Sequence, residues 1–153
     1  MKLAVVGSRL RFWRPELANN RAKAQEFVSN KLDKLDKKHK FTEFVSGGEP
    51  TGADTLGENW ARSRGFKEKN PGRNLIIYKP QERLIQKGGF GYAAFDRNKE
   101  IAARADKVVG FWGTENLKPT RGTGHTLQHA KSLGKDVTYV AVNKGNFPKG
   151  WRD

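Results

Sequence analysis

Five short apolar runs, separated by stretches of helical periodicity, constrain this chain more than any other feature. The runs are Lys2–Gly7 (KLAVVG), Thr42–Ser46 (TEFVS), Asn74–Tyr78 (NLIIY), Asp106–Trp112 (DKVVGFW) and Asp136–Val142 (DVTYVAV). They are rich in valine and isoleucine and show little in–out alternation, as expected of strands covered on both faces. Between them, Asn19 to about Lys38 carries Ala22, Ala24, Phe27, Val28, Leu32 and Leu35 at spacings of mostly three or four, the mark of an amphipathic helix. Ala53–Arg64, Ala93–Ala105 and Gly122–Leu133 read as helices too, two of them stopped by Gly65 and Gly134. The stretch Lys79–Tyr92, with Pro80 and glycines at 88, 89 and 91, is expected to be a loop or a short irregular excursion, and Gly113–Arg121 a polar loop. Strands that alternate with helices form a parallel sheet, because parallel neighbours need long crossovers. The expected class is α/β, a three-layer domain built on a five-stranded parallel sheet.

The length of 153 residues suits one domain, 1–153, with a basic tail from about 143 to 153. There is no cysteine, which excludes disulfides and thiolate metal sites. Of the three histidines, His125 and His129 stand one helical turn apart, but no third ligand sits at a matching spacing, so no metal is expected. No apolar run approaches the roughly 20 residues that span a bilayer, and the N-terminus reads as a first strand rather than a signal peptide. The expected location is the cytoplasm, or the host cytoplasm for a virus-encoded chain, with no membrane partner. The formal net charge of +14, from 30 Lys and Arg against 16 Asp and Glu, attracts polyanions. Nucleic acid is the commonest polyanion, but no basic motif interleaved with aromatics accompanies the charge.

In an open parallel sheet, ligands bind beyond the carboxyl ends of the strands. The glycine-rich pieces collect there: Gly7-Ser8-Arg9 after the first strand, Ser46-Gly47-Gly48 and the turn to Gly52 after the second, Gly113 after the fourth, and Arg121-Gly122-Thr123-Gly124-His125-Thr126 at a helix start. Glycine lets backbone approach a ligand, and a helix N-terminus offers free N–H groups and a positive dipole end. Gly122 to Thr126 therefore reads as a phosphate cradle, with hydroxyls from Thr123 and Thr126 and charge from Arg121. Any one of these glycines alone would be explained by a tight turn. The chain lacks GxGxxG in its first loop and has no GxxxxGK[ST], which argues against a P-loop triphosphatase.

Four pieces in order carry a resemblance: VVGSR at Val5–Arg9, VSGGEPTGAD at Val45–Asp54, FDRNKEIAARAD at Phe95–Asp106 and GFWGTENLKPTRGTGHTLQHA at Gly110–Ala130. Together they resemble the SLOG superfamily, which groups LOG-type proteins, the DNA-processing protein DprA and small stand-alone proteins related to YspA and YpsA. The resemblance implies a Rossmann-like fold with strand order 3-2-1-4-5 and binding of a nucleotide or nucleotide-derived signal, with no further cofactor required. It implies that Ser8 and Arg9 border the ligand, that Gly47 and Gly48 pass under it, and that Asp54 accepts a bond from a ribose hydroxyl. Arg97 and Asn98 would face phosphate or ribose, and Gly122, Thr123 and Gly124 would cradle the phosphate. Asp54 is equally what a helix dipole favours in a first turn. Related domains often dimerise, so a homo-oligomer is compatible with the resemblance.

One departure bears on activity. LOG phosphoribohydrolases carry PGGxGTxxE, with the glutamate among the catalytic residues. Here Thr126 or Gln128 falls in its place, depending on the alignment. Neither ionises near neutral pH, so glycosidic cleavage would need another group, with Asp54, Arg97 and Glu100 as weak candidates. The leading expectation is a binding protein, a sensor or sequestering domain. The alternatives are a LOG-type nucleoside-monophosphate N-glycoside hydrolase and a DprA-like nucleic-acid-binding protein.

Overall fold

The computed structural model describes residues 1–48, 52–112 and 122–142, and only the backbone of residues 90–92, 95, 112 and 122. The strands are β1 (Lys2–Gly7), β2 (Glu43–Ser46), β3 (Asn74–Ile77), β4 (Lys107–Trp112) and β5 (Asp136–Ala141). They form one all-parallel sheet in the order β3-β2-β1-β4-β5, as expected. β1 lies at the centre, where Leu3 pairs with Phe44 on one side and Lys107 on the other. Among the described residues, no helix is long and apolar enough to cross a membrane.

Period-two alternation sends neighbouring side chains of each strand to opposite faces. Leu3 and Val5 join Phe44, Val109 and Phe111 in one apolar layer, and Ala4 and Val6 join Val45 and Val108 in the other. The first layer is covered by helices α1 (Pro15–Ala18), α2 (Arg21–His39) and α3 (Ala53–Ser63). In α2, Ala24, Val28 and Leu32 are fully buried at four-residue spacing, whereas Ala22 is exposed. The side chain of Asn20 caps the helix by accepting from the Lys23 N–H at 3.2 Å. Its last turn carries Lys37, Lys38 and His39, which suit the negative end of the helix dipole. Buried Trp60 of α3 packs with Phe44 and Phe66, and its indole N–H donates to Asp33 at 2.8 Å.

The second layer is covered by α4 (Glu82–Arg104) and α5 (Gly122–Ser132), which bury Ile101, Ala102, Leu127 and Ala130. A side chain on Gly110 of β4 would stand 2.6 Å from Leu127, so this glycine allows α5 to lie close on the sheet.

Two differences from the sequence reading stand out. Lys79–Tyr92 is not a loop over most of its length: α4 begins at Glu82 and runs to Arg104. The glycines leave their trace as a kink at Gly89, whose φ of 87° is non-helical. A glycine costs about 1 kcal/mol in a helix, an amount that burial of side chains such as Leu84 can offset. The stretch after β1 is also more ordered than a plain loop. A 3-10 turn at Leu10–Phe12 and the short α1 insert Trp13 and Leu17 into the first layer.

Candidate functional site

The carboxyl end of β1 is held against β4 and the start of α3 by close backbone packing. Ser8 N–H donates to the Phe111 carbonyl at 3.0 Å, and the Trp13 indole N–H donates to the Ser8 carbonyl at 3.1 Å. A Cβ on Gly7 would stand 2.5 Å from both the Ala53 Cβ and the Phe111 carbonyl oxygen. One on Gly52 would be 2.7 Å from the Ser8 carbonyl oxygen, and Arg9 and Gly52 form an antiparallel bridge. Gly7 and Gly52 are thus filled by the protein's own atoms. Their role is to press the start of α3 onto the tip of β1.

That contact fixes Asp54, the second residue of α3, where it is 8% exposed. A carboxylate in a first turn is favoured by the helix dipole. From the opposite face of the sheet, α4 sends Arg97 over the same edge. Its Nη1 donates to the Gly47 carbonyl at 2.6 Å and its Nε to Asn98 Oδ1 at 3.0 Å. A Cβ on Gly47 would stand 2.9 Å from Asp54 Oδ2 and 3.0 Å from Arg97 Nη1. The carboxylate and the guanidinium therefore close on one glycine from two helices. Asn98 is buried beside them. Gly48 has φ of 73°, a left-handed conformation that glycine tolerates best.

Ser46 is fully buried; its hydroxyl donates to Glu58 Oε1 at 2.6 Å and accepts from the Gly48 N–H at 3.2 Å. Glu58 was not among the residues expected at the site. It stands four residues after Asp54 on α3, so the two carboxylates share a helix flank. The spacing Asp-x-x-x-Glu in an N-terminal half-helix is a signal that could have found it.

At the start of α5, Gly124 and Thr126 are buried and Thr123 is half-buried. The imidazoles of His125 and His129 lie parallel, 6.5 Å apart. Burial holds His125 below the usual histidine range, and the positive charge of Lys99 and the neighbouring His129 act in the same direction. Gly113 and Arg121, both expected at the site, lie outside the described residues. So do residues 49–51 and the rest of 113–121, which link β2 to α3 and β4 to α5. Arg9 is exposed, and the side chain of Glu100 makes no hydrogen bond or ion pair among the described residues. Grooves line the outer edges of β5 and β3.

The arrangement thus gathers Ser46, Gly47, Gly48, Asp54, Arg97 and Asn98 at the ends of the central strands. It lies beside the switch point between β1 and β4, where doubly wound sheets open a crevice. Residues 1–70 match the family model of the YspA, cpYpsA-related SLOG family, which supports membership of the SLOG superfamily. The matched stretch includes Gly7, Ser46, Gly47, Asp54 and Glu58, and ends before α4. No curated protein and no solved structure matches the chain.

Proposed function

We propose, taking membership of the SLOG superfamily as the premise, that this chain binds a nucleotide or nucleotide-derived small molecule at the carboxyl edge of its sheet, as a sensor or sequestering protein. The observation that carries this reading is the placing of Arg97. Its guanidinium crosses from α4 to the tip of β2 and uses two donors on neutral oxygens, leaving Nη2 without a hydrogen bond among the described residues. A guanidinium carries five N–H donors and binds phosphate in a forked, charge-assisted manner. Asp54 offers an acceptor to a ribose hydroxyl, and the start of α5 offers N–H groups and a dipole to a phosphate. A nucleotide needs both kinds of partner a few ångströms apart.

Titration calorimetry with adenosine and cytidine monophosphates, preceded by mass spectrometry of small molecules carried by the purified protein, tests the reading. Arg97→Met should weaken binding by about 10- to 100-fold, the worth of one charged hydrogen-bonding group, with little change in thermal stability. Equal affinity in the folded variant would remove the site from this edge. The binding reading also expects no release of free base on long incubation. Release that disappears in Asp54→Asn or Glu58→Gln would instead assign a hydrolase, with those carboxylates replacing the glutamate that the α5 start lacks.

A further inference from the structure

Helix α2 sorts its charges by face. Two of its three acids, Asp33 and Asp36, are already neutralised: Arg64 forks onto Asp33 at 2.8 and 2.7 Å, and Arg73 pairs with Asp36 at 3.1 Å. Its five lysines, Lys23, Lys31, Lys34, Lys37 and Lys38, are all exposed. Their ammonium groups make no ion pair or hydrogen bond among the described residues. At 3.6 residues per turn the five fall within about 120° of arc, with the third acid, Glu26, at its margin.

The helix itself gains little from this row. Lys37 and Lys38 suit the negative end of the dipole, but Lys23 stands in the first turn, where a cation is disfavoured. Lys34 faces like charges at three- and four-residue spacing, on Lys31, Lys37 and Lys38, and such pairs repel. The row therefore persists against the local electrostatics of α2, as expected of a surface kept for a polyanion.

We propose that the outer face of α2 binds the phosphate backbone of duplex nucleic acid without reading its sequence. This surface lies outside the residues gathered at the carboxyl edge and does not rest on the nucleotide reading. From Lys23 to Lys38 the row spans about 22 Å of helix, a length over which a duplex presents about 13 phosphates. A lysine ammonium meets phosphate as a point charge and positions a duplex without selecting bases. A single strand fits less well, because α2 exposes no aromatic ring on which bases could stack. An acidic protein fits less well too: such interfaces form around an apolar centre and are poor in lysine, and Ala22 is the one exposed apolar residue of α2. An anionic membrane would need an apolar flank turned outward, whereas Ala24, Val28 and Leu32 are buried on the sheet.

The probe is a fluorescein-labelled 20-base-pair DNA duplex, read by anisotropy from low to physiological salt. Its comparisons are a 20-residue thymidylate, polyglutamate of equal charge, and vesicles of phosphatidylserine in phosphatidylcholine. Duplex binding of about 10 µM at low salt is expected, with a log–log salt slope of about −3 to −4 for four or so phosphate contacts. Lys34→Gln with Lys37→Gln should lower the magnitude of that slope by about two and weaken binding at least tenfold. The change keeps a good helix former at both positions, so the melting temperature should not fall. Lys67→Gln with Lys87→Gln removes as many exposed charges from elsewhere and should weaken binding less than threefold. Three results would each overturn the proposal: no duplex binding at low salt, an equal loss in the two double variants, or tighter binding of the thymidylate, the polyglutamate or the vesicles than of the duplex.

Discussion

Arg97 and Arg104 stand seven residues apart on α4, two helical turns along a similar flank, and reach opposite ends of the sheet. At the amino end, Arg104 forks onto the nearly buried Glu43 at 2.8 and 2.9 Å, and Asn74 adds a third bond to that carboxylate. Lys107 is held in the same way by Asp136 and Thr138, and Asp106 accepts from the Lys2 N–H. Charges at that end are matched by opposite charges or fixed donors. At the carboxyl end, Arg97 meets a backbone carbonyl and a neutral amide. The same residue type on the same helix therefore forks onto a carboxylate at one end and meets neutral oxygens at the other. A guanidinium bonded to neutral oxygens near a strand end, rather than forked onto a carboxylate, keeps donor capacity for a further acceptor.

Glycine substitutions separate the two roles most sharply. Gly7→Ala drives a methyl into backbone and into Ala53, neither of which can swing away, so it should destabilise by about 3 kcal/mol. Gly47→Ala meets only the ends of Asp54 and Arg97, which can move. It should leave the unfolding midpoint nearly unchanged while reducing nucleotide affinity severalfold. Denaturant titration paired with calorimetry on both variants reads the contrast, and a Gly47→Ala protein that binds normally would break it.

The paired end should answer to charge through stability alone. Glu43→Gln removes the counterion of Arg104 and should cost about 1–2 kcal/mol, less than a fully buried pair because Arg104 is 39% exposed. Nucleotide affinity should not change. The hydrogen bonds from Arg104 hold the Glu43 carboxyl below its usual range, helped by Asn74 and the charge of Lys2. The native state thus binds this proton less readily than the unfolded chain. Stability from Glu43 is complete above the ordinary glutamate value and is lost as pH falls through the lowered one. Urea titrations across the acid range should show a shallower decline in Glu43→Gln than in the parent.

The smallest expected effect lies at the start of α5. His125 is also held low, but by burial first and then by Lys99 and His129, an unfavourable setting for its charged form. Its contribution is complete above the ordinary histidine value and declines as pH drops from there through the lowered one. Thermal melts from neutral to mildly acid pH should fall, and His125→Gln should flatten that part of the curve without touching the glutamate part. The two groups shift in one direction for opposite reasons, attraction at the amino end and exclusion of charge at the carboxyl end.

The strands, the parallel sheet and four of the helices were legible because burial on two faces and on one face leaves different periods in the sequence. Lys79–Tyr92 misled because three glycines and a proline resemble a loop locally, whereas packing of Leu84 and its neighbours decides for a helix with one kink. At the carboxyl edge of the sheet, the glycines expected to make room for a ligand are in part small for a different reason. Gly7 and Gly52 are small because protein, not ligand, fills the space above them. Glu58 was passed over because its tie to Ser46 joins residues twelve apart across a strand-to-helix turn.

The sequence by itself determined the class of fold, the edge at which its turns gather and the excess of positive charge, since these follow from local periodicity and composition. Only the tertiary structure decided which cations are neutralised. Arg97 and Arg104 look alike in the chain, and Glu43 lies more than fifty residues from either. Whether a guanidinium meets a carboxylate or a carbonyl depends on which strand end its helix crosses. That is set by the strand order, which brings β2 and the far end of α4 together across the sheet.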